Sequence, residues 1–70
     1  MAEVLAPLAG KIVEVIATIG TSVAEDDELI VIEALKMENM VYASSQGAVK
    51  EVRVKKGDSV ADGDVLMVID

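Results

Sequence analysis

Lys36 stands between two large apolar residues in the stretch Glu33-Ala34-Leu35-Lys36-Met37-Glu38-Asn39, halfway along a chain of 70 residues. An amine so placed can act as a nucleophile or base, or it can be acylated by another protein. The first role requires loss of its proton, and an ordinary lysine has a pKa of about 10.4. Lowering that value takes desolvation or a nearby base or cation. The chain has no His and no Cys, so the usual general base and the thiol nucleophile are both missing. The amine therefore reads as a substrate, to be acylated by a separate enzyme that supplies the activation. A lysine in a turn is otherwise only solvated. Here, however, Leu35 and Met37 would be left in water beside it, and exposed apolar residues flanking a charge suggest a recognition patch. Most hairpin tips carry Asn, Gly or Asp instead.

Other polar clusters offer less. The run Glu25-Asp26-Asp27-Glu28 lacks the ligand spacing of a calcium loop, and Asp62-Gly63-Asp64 stops too soon to be one. Both read as solvated turns, so no catalytic residue and no metal ligand is assigned. The net charge of −7 and the scattered bases argue against nucleic-acid binding. No apolar run approaches the roughly 18 residues of a membrane-spanning segment, and no signal peptide is evident. The expectation is a cytoplasmic domain, or a mitochondrial-matrix one if the chain comes from a eukaryote.

The elements that must position Lys36 are written twice. Residues 4–33 overlie 41–70 at an offset of 37 with no gap, and thirteen of the thirty positions are identical. Two copies suit a closed pseudo-two-fold pair in which each half buries the other's apolar face. Val and Ile dominate short runs separated by Gly and Asp/Ser clusters, which predicts strands over 2–6, 11–18, 29–33, 38–43, 48–55 and 65–70. Short extra strands are predicted around Val23 and Val60. Val52 and Val54 alternate with Arg53 and Lys55 while Val49 is out of phase, which predicts a bulge near Lys50-Glu51 and, by the repeat, near Val13-Glu14. Gly10, Gly20, Gly47 and Gly57 mark expected turns. The fold class is all-β: one domain over 1–70, a flattened antiparallel barrel or sandwich of two four-stranded halves. Lys36 falls in the connection between the copies. Its symmetry mates would lie just beyond the two termini, so the lysine hairpin and the termini are expected at opposite ends.

Glu33-Ala34-Leu35-Lys36-Met37-Glu38 resembles the attachment motif of biotinyl carrier domains, Ala-Met-Lys-Met, with Leu35 in place of the first Met. That exchange keeps volume and apolarity. The resemblance covers the whole chain: Ala6-Pro7-Leu8-Ala9-Gly10 is similar to the family's Ala-Pro-x-x-Gly, and residues 57–66 to its Gly-Asp-x-Val-x-x-Gly turn. It implies the barrel-sandwich hybrid fold and biotin in amide linkage on Lys36. Leu35, Met37, Ala34, Glu33 and Glu38 would be the flanking recognition motif. It also implies a non-catalytic biotin carboxyl carrier served by a biotin protein ligase. The arm would carry a carboxyl group between biotin carboxylase and carboxyltransferase or decarboxylase partners. A lipoyl carrier of a 2-oxo acid dehydrogenase-type complex is the alternative within the fold, but that motif has Asp before the lysine and Ala after it. An unmodified structural or interaction module is the alternative outside it. Thr21 and Asp26 replace an expected Asp and Gly, so the loop of the first copy is expected to differ. Ser44 replaces a proline, and the gapless repeat leaves no room for the extra thumb loop of some carriers.

The copies differ in charge. Residues 1–35 carry seven acids and Lys11, and residues 36–70 carry six acids and five bases. Val13, Ile16 and Ile19 stand where the second copy has Lys50, Arg53 and Lys56. An apolar strip around Val13 and Ile16 is expected either to meet a partner or to be buried by local bends.

Overall fold

The computed structural model describes residues 2–70. Eight strands alternate with tight turns: β1 (Ala2–Leu5), β2 (Gly10–Val15), β3 (Ser22–Val23), β4 (Glu28–Ala34), β5 (Met37–Tyr42), β6 (Gly47–Val52), β7 (Ser59–Val60) and β8 (Val65–Ile69). They form two antiparallel four-stranded sheets, ordered β1-β8-β6-β3 and β5-β4-β2-β7. A 37-residue shift turns one order into the other, so the pseudo-two-fold is a property of the fold. The sheets are not the sequence copies, however. Each sheet takes two strands from either copy, so the halves are interleaved and neither has a sheet of its own.

The core follows the same symmetry. The eight largest fully buried side chains are Ile12, Leu29, Ile30, Ile32, Val49, Leu66, Met67 and Ile69. They are four matched pairs: 12 with 49, 29 with 66, 30 with 67 and 32 with 69. Each contributes about 1.5–3 kcal/mol by leaving water, and no charged or polar side chain is buried among the described residues. A chain this short stays folded because β4 and β8, two of its four central strands, are buried almost continuously. Both predicted bulges are present: the register shifts between Ile12 and Glu14 on β2 and between Val49 and Glu51 on β6. Val13 is half-buried there, while Ile16 and Ile19 stay 42% and 67% exposed. The bends therefore cover only the start of the apolar strip. Strands β2 and β6 end earlier than predicted because the chain turns away after the bulge. Ile16 N and Ala17 N both donate to Leu29 O.

The expected difference in the first-copy loop does not occur, and the reason is chemical mimicry. Asp58 Oδ2 accepts from Lys55 N at 3.0 Å, and Thr21 Oγ1 accepts from Thr18 N at 3.3 Å in the matching turn. Asp64 and Asp27 close the next pair of turns in the same way, each at 2.8 Å. Asp26 adopts φ 71° where Gly63 has φ 90°. Its amide bonds Ala43 O as that of Gly63 bonds Ala6 O. Asp tolerates the left-handed region better than most residues but still with strain. Asp26→Gly should stabilise the domain by about 0.5–1 kcal/mol, seen as a higher urea midpoint at an unchanged slope. An unchanged midpoint would mean that the turn carries no strain at this position.

Gly10 also departs from expectation. It lies inside β2, not in a turn, and is needed for close approach. A Cβ there would meet Glu33 O at 2.5 Å and Ile32 Cγ2 at 2.6 Å.

Candidate functional site

Strands β4 and β5 pair from Glu28↔Tyr42 to Ala34↔Met37, which leaves Leu35 and Lys36 as a two-residue hairpin loop. Both have positive φ, 52° and 64°, as the two central residues of a type I′ turn require. That turn suits the right-handed twist of the flanking strands but is normally built from Asn and Gly. Leucine and lysine there each cost about 1–2 kcal/mol of backbone strain. Strain of this kind collects at functional sites, where a side chain must be aimed at some cost to stability.

The turn projects its side chains into solvent. Leu35 is 97% exposed and Met37 66%. Lys36 is exposed, and among the described residues no side chain bonds its amine. An open groove of about 450 Å³ lies elsewhere, between the edge strands β1 and β5, lined by Leu5, Pro7, Met40 and Tyr42 and not by the hairpin tip. Lys36 is an amine held out in solvent on a hairpin stem. No cluster of three potential metal ligands occurs among the described residues.

The structure brings together the residues expected around Lys36. Ala34 and Met37 close the hairpin, and Glu33 pairs with Glu38 one step down. Directly opposed residues share a face, and like charges so placed repel. Lys11 pairs Glu33 on its other side, so the outer face reads Glu38, Glu33, Lys11 across three strands. Gly10 continues the tip row on β2, with Val60 of β7 beyond it. Its role was not legible from its own neighbourhood, although its recurrence as Gly47 was the available signal.

The hairpin and the Ala2↔Ile69 pair lie at opposite ends of a body 31 × 19 × 18 Å. Val60 stands in the tip row, and five residues later Val65 pairs with Leu5, the end of the β1–β8 ladder remote from Ala2↔Ile69. Ala2 and Ile69 thus pair at the end where the two-fold places the counterpart of the lysine hairpin.

Comparisons with known proteins agree with this geometry. The family described as "Biotin-requiring enzyme" matches residues 2–69. The chain is 38% identical over 68 residues to pyruvate carboxylase of Bacillus subtilis, covering 97% of this chain and 6% of that protein. It is 39% identical over 64 residues to the biotin carboxyl carrier protein of Streptococcus mutans, covering 91% of this chain and 49% of that one. It thus spans half or less of the length of these relatives. Among solved structures, urea carboxylase of Kluyveromyces lactis superposes with a TM-score of 0.93 at 33% identity, over 99% of this chain and 6% of that one. The lipoyl domain of the 2-oxoglutarate dehydrogenase complex from Azotobacter vinelandii does so at 0.75 and 26%, over 89% of this chain and 78% of that one. No helix among the described residues is long and apolar enough to cross a membrane. With its interleaved sheets and its single lysine on a strained central hairpin, the chain belongs to the biotin/lipoyl attachment domain family, as a biotin carboxyl carrier domain of the biotin-dependent carboxylase type.

Proposed function

We propose that Lys36 is the attachment site for biotin and that the domain is a non-catalytic carrier. The observation that carries this reading is the strained, fully solvated turn that holds Lys36 between Leu35 and Met37. A stabler turn was available to the chain and is not used.

A biotin protein ligase would present the biotinyl acyl group as its adenylate. Deprotonated Lys36 Nζ attacks the acyl carbon, the N–C bond forms, the acyl–phosphate bond breaks and AMP departs. The ligase must take the amine's proton, because among the described residues no side chain bonds Nζ. Leu35 and Met37 offer apolar contacts on either side of the amine, Ala34 keeps the hairpin neck slim, and Glu33 and Glu38 give the ligase a pair of carboxylates to read. Once attached, biotin supplies a ring nitrogen able to carry a carboxyl group. The chain's own contribution is a rigid stem that points the arm away from the termini. Tethering makes transfer between biotin carboxylase and carboxyltransferase or decarboxylase partners intramolecular, with an effective concentration set by reach. A lipoyl carrier shares the fold, but its lysine stands between Asp and Ala, and Leu35 and Met37 fit the biotinyl motif instead.

Intact mass after incubation with a biotin protein ligase, biotin and ATP tests this. One biotinyl increment is expected on the parent and none on Lys36→Arg, which keeps charge and length. An unlabelled parent that accepts lipoate from a lipoate ligase would transfer the domain to the other branch of its family.

A further inference from the structure

The pseudo-two-fold supplies an internal control for surface chemistry, since matching positions share a backbone and differ only in side chain. The turn Thr18-Ile19-Gly20-Thr21 matches Lys55-Lys56-Gly57-Asp58, with φ 92° at Gly20 and 97° at Gly57. Gly20 N bonds Val49 O in one, and Gly57 N bonds Ile12 O in the other. The first turn runs beside Val49, which pairs with Ile69 next to the termini. The second runs beside Ile12, which pairs with Ile32 two residues before Ala34. The fold therefore uses the same turn at both ends and is indifferent to lysine in it. Only the end that carries Lys36 has the lysine pair.

That end also shows a charge order. The β4–β5 flank presents Glu33 and Glu38, and the β2–β7 flank presents Lys11, Lys55 and Lys56, all exposed. A nucleic acid, anionic throughout, would meet the exposed Glu33 and Glu38 at this end as well as the lysines. A protein face with acids opposite one flank and bases opposite the other fits, and such a pattern fixes the orientation of docking more than its strength.

We propose that Lys55 and Lys56, with Lys11, form a docking face for an acidic rim beside the active site of the biotin protein ligase. The inference rests on Lys36 being the biotin site. The ligase is favoured over the carboxylase partners by the kind of encounter. In the pyruvate and urea carboxylase relatives the matching segment is 6% of a longer chain, so those sites are met by tethered search. A ligase arrives by diffusion, and diffusional encounter is what complementary charge accelerates.

The test compares Lys55→Gln/Lys56→Gln with Thr18→Glu/Ile19→Glu. Each pair lowers the net charge by two, from −7 to −9, one at the lysine end and one at the far end. The kcat/KM for biotin transfer by a biotin protein ligase is measured at about 50 and 300 mM NaCl, with thermal melts to confirm the fold. The lysine-end pair is expected to lose roughly fivefold at low salt, mainly through KM and less at high salt. The far-end pair should change by less than about twofold. Lys55→Glu/Lys56→Glu should lose more than the Gln pair. Equal losses at both ends, or none at either, overturn the docking face while leaving Lys36 as the attachment site. A parent that is not labelled at all overturns the reading of Lys36 and the docking face with it.

Discussion

Replacing Leu35-Lys36 with Asn-Gly is expected to make the domain more stable by about 2 kcal/mol while removing the amine. The reasoning uses only the backbone. Both residues occupy left-handed φ values, where a Cβ crowds the chain, whereas Asn tolerates that region and Gly is unhindered. Little packing is lost, because Leu35 is almost wholly in water. In a domain of this size 1 kcal/mol moves the midpoint of melting by about 4–8 °C, so a rise of roughly 10 °C is expected. Leu35→Asn and Lys36→Gly alone should each give part of it, and Lys36→Arg none. The measurement separates two explanations of the site. If the turn is strained for function, stability and modification move in opposite directions. A double variant no more stable than the parent would show that the strands hold the tip without strain.

The second large effect lies behind the hairpin. Gly10→Ala should destabilise the domain by about 2–3 kcal/mol, a large part of the roughly 4–10 kcal/mol available to a chain of this length. The added methyl would sit 2.5 Å from a backbone oxygen, that of Glu33, and a ladder carbonyl cannot swing aside as a side-chain end can. Strand β4 must shift, and it carries the lysine turn. Gly47→Ala meets Asp70 O at 2.6 Å at the symmetric place and adds the strain of a positive φ, 155°, so it should cost at least as much. The two variants should differ in what they disturb. Amide chemical shifts across 33–38 should move in Gly10→Ala and stay in place in Gly47→Ala, and labelling of Lys36 should slow only in the former. Equal labelling in both would show that the hairpin moves as a rigid unit with its stem.

The contrast between these glycines and the turn residues shows what could be read in advance. The 37-residue repeat was enough to give the pseudo-two-fold, the bulges at Val13 and Lys50 and the central place of Lys36. Those features follow from side-chain period and from matched positions, which are local properties of the sequence. The pairing of the core residues at the same offset emerged only from the structure, since recurrence alone does not bury a position: Ala24 and Ala61 are both exposed. Residue substitution was harder to read. Thr21 and Asp26 looked like departures that would reshape a loop, yet a hydroxyl replaces a carboxylate as acceptor, and aspartate takes a left-handed φ. Residue type under-determined conformation there because different side chains can satisfy the same backbone groups.

The sequence by itself determined the chemistry of the site: one amine between two apolar residues, no group to activate it, and an all-β body with that amine midway along. Only the tertiary structure decided three things. It set the strand order, in which each sheet draws on both copies, because ladder partners distant in sequence are chosen by packing and leave no local pattern. It made Gly10 a point of contact with Glu33 rather than a turn, because close approach depends on which strand lies alongside. And it put leucine and lysine into a turn that their own propensities oppose. The registers of β4 and β5, fixed by the burial of Ile30 and Ile32, leave only two residues to close the hairpin, and the core then imposes the conformation at its tip.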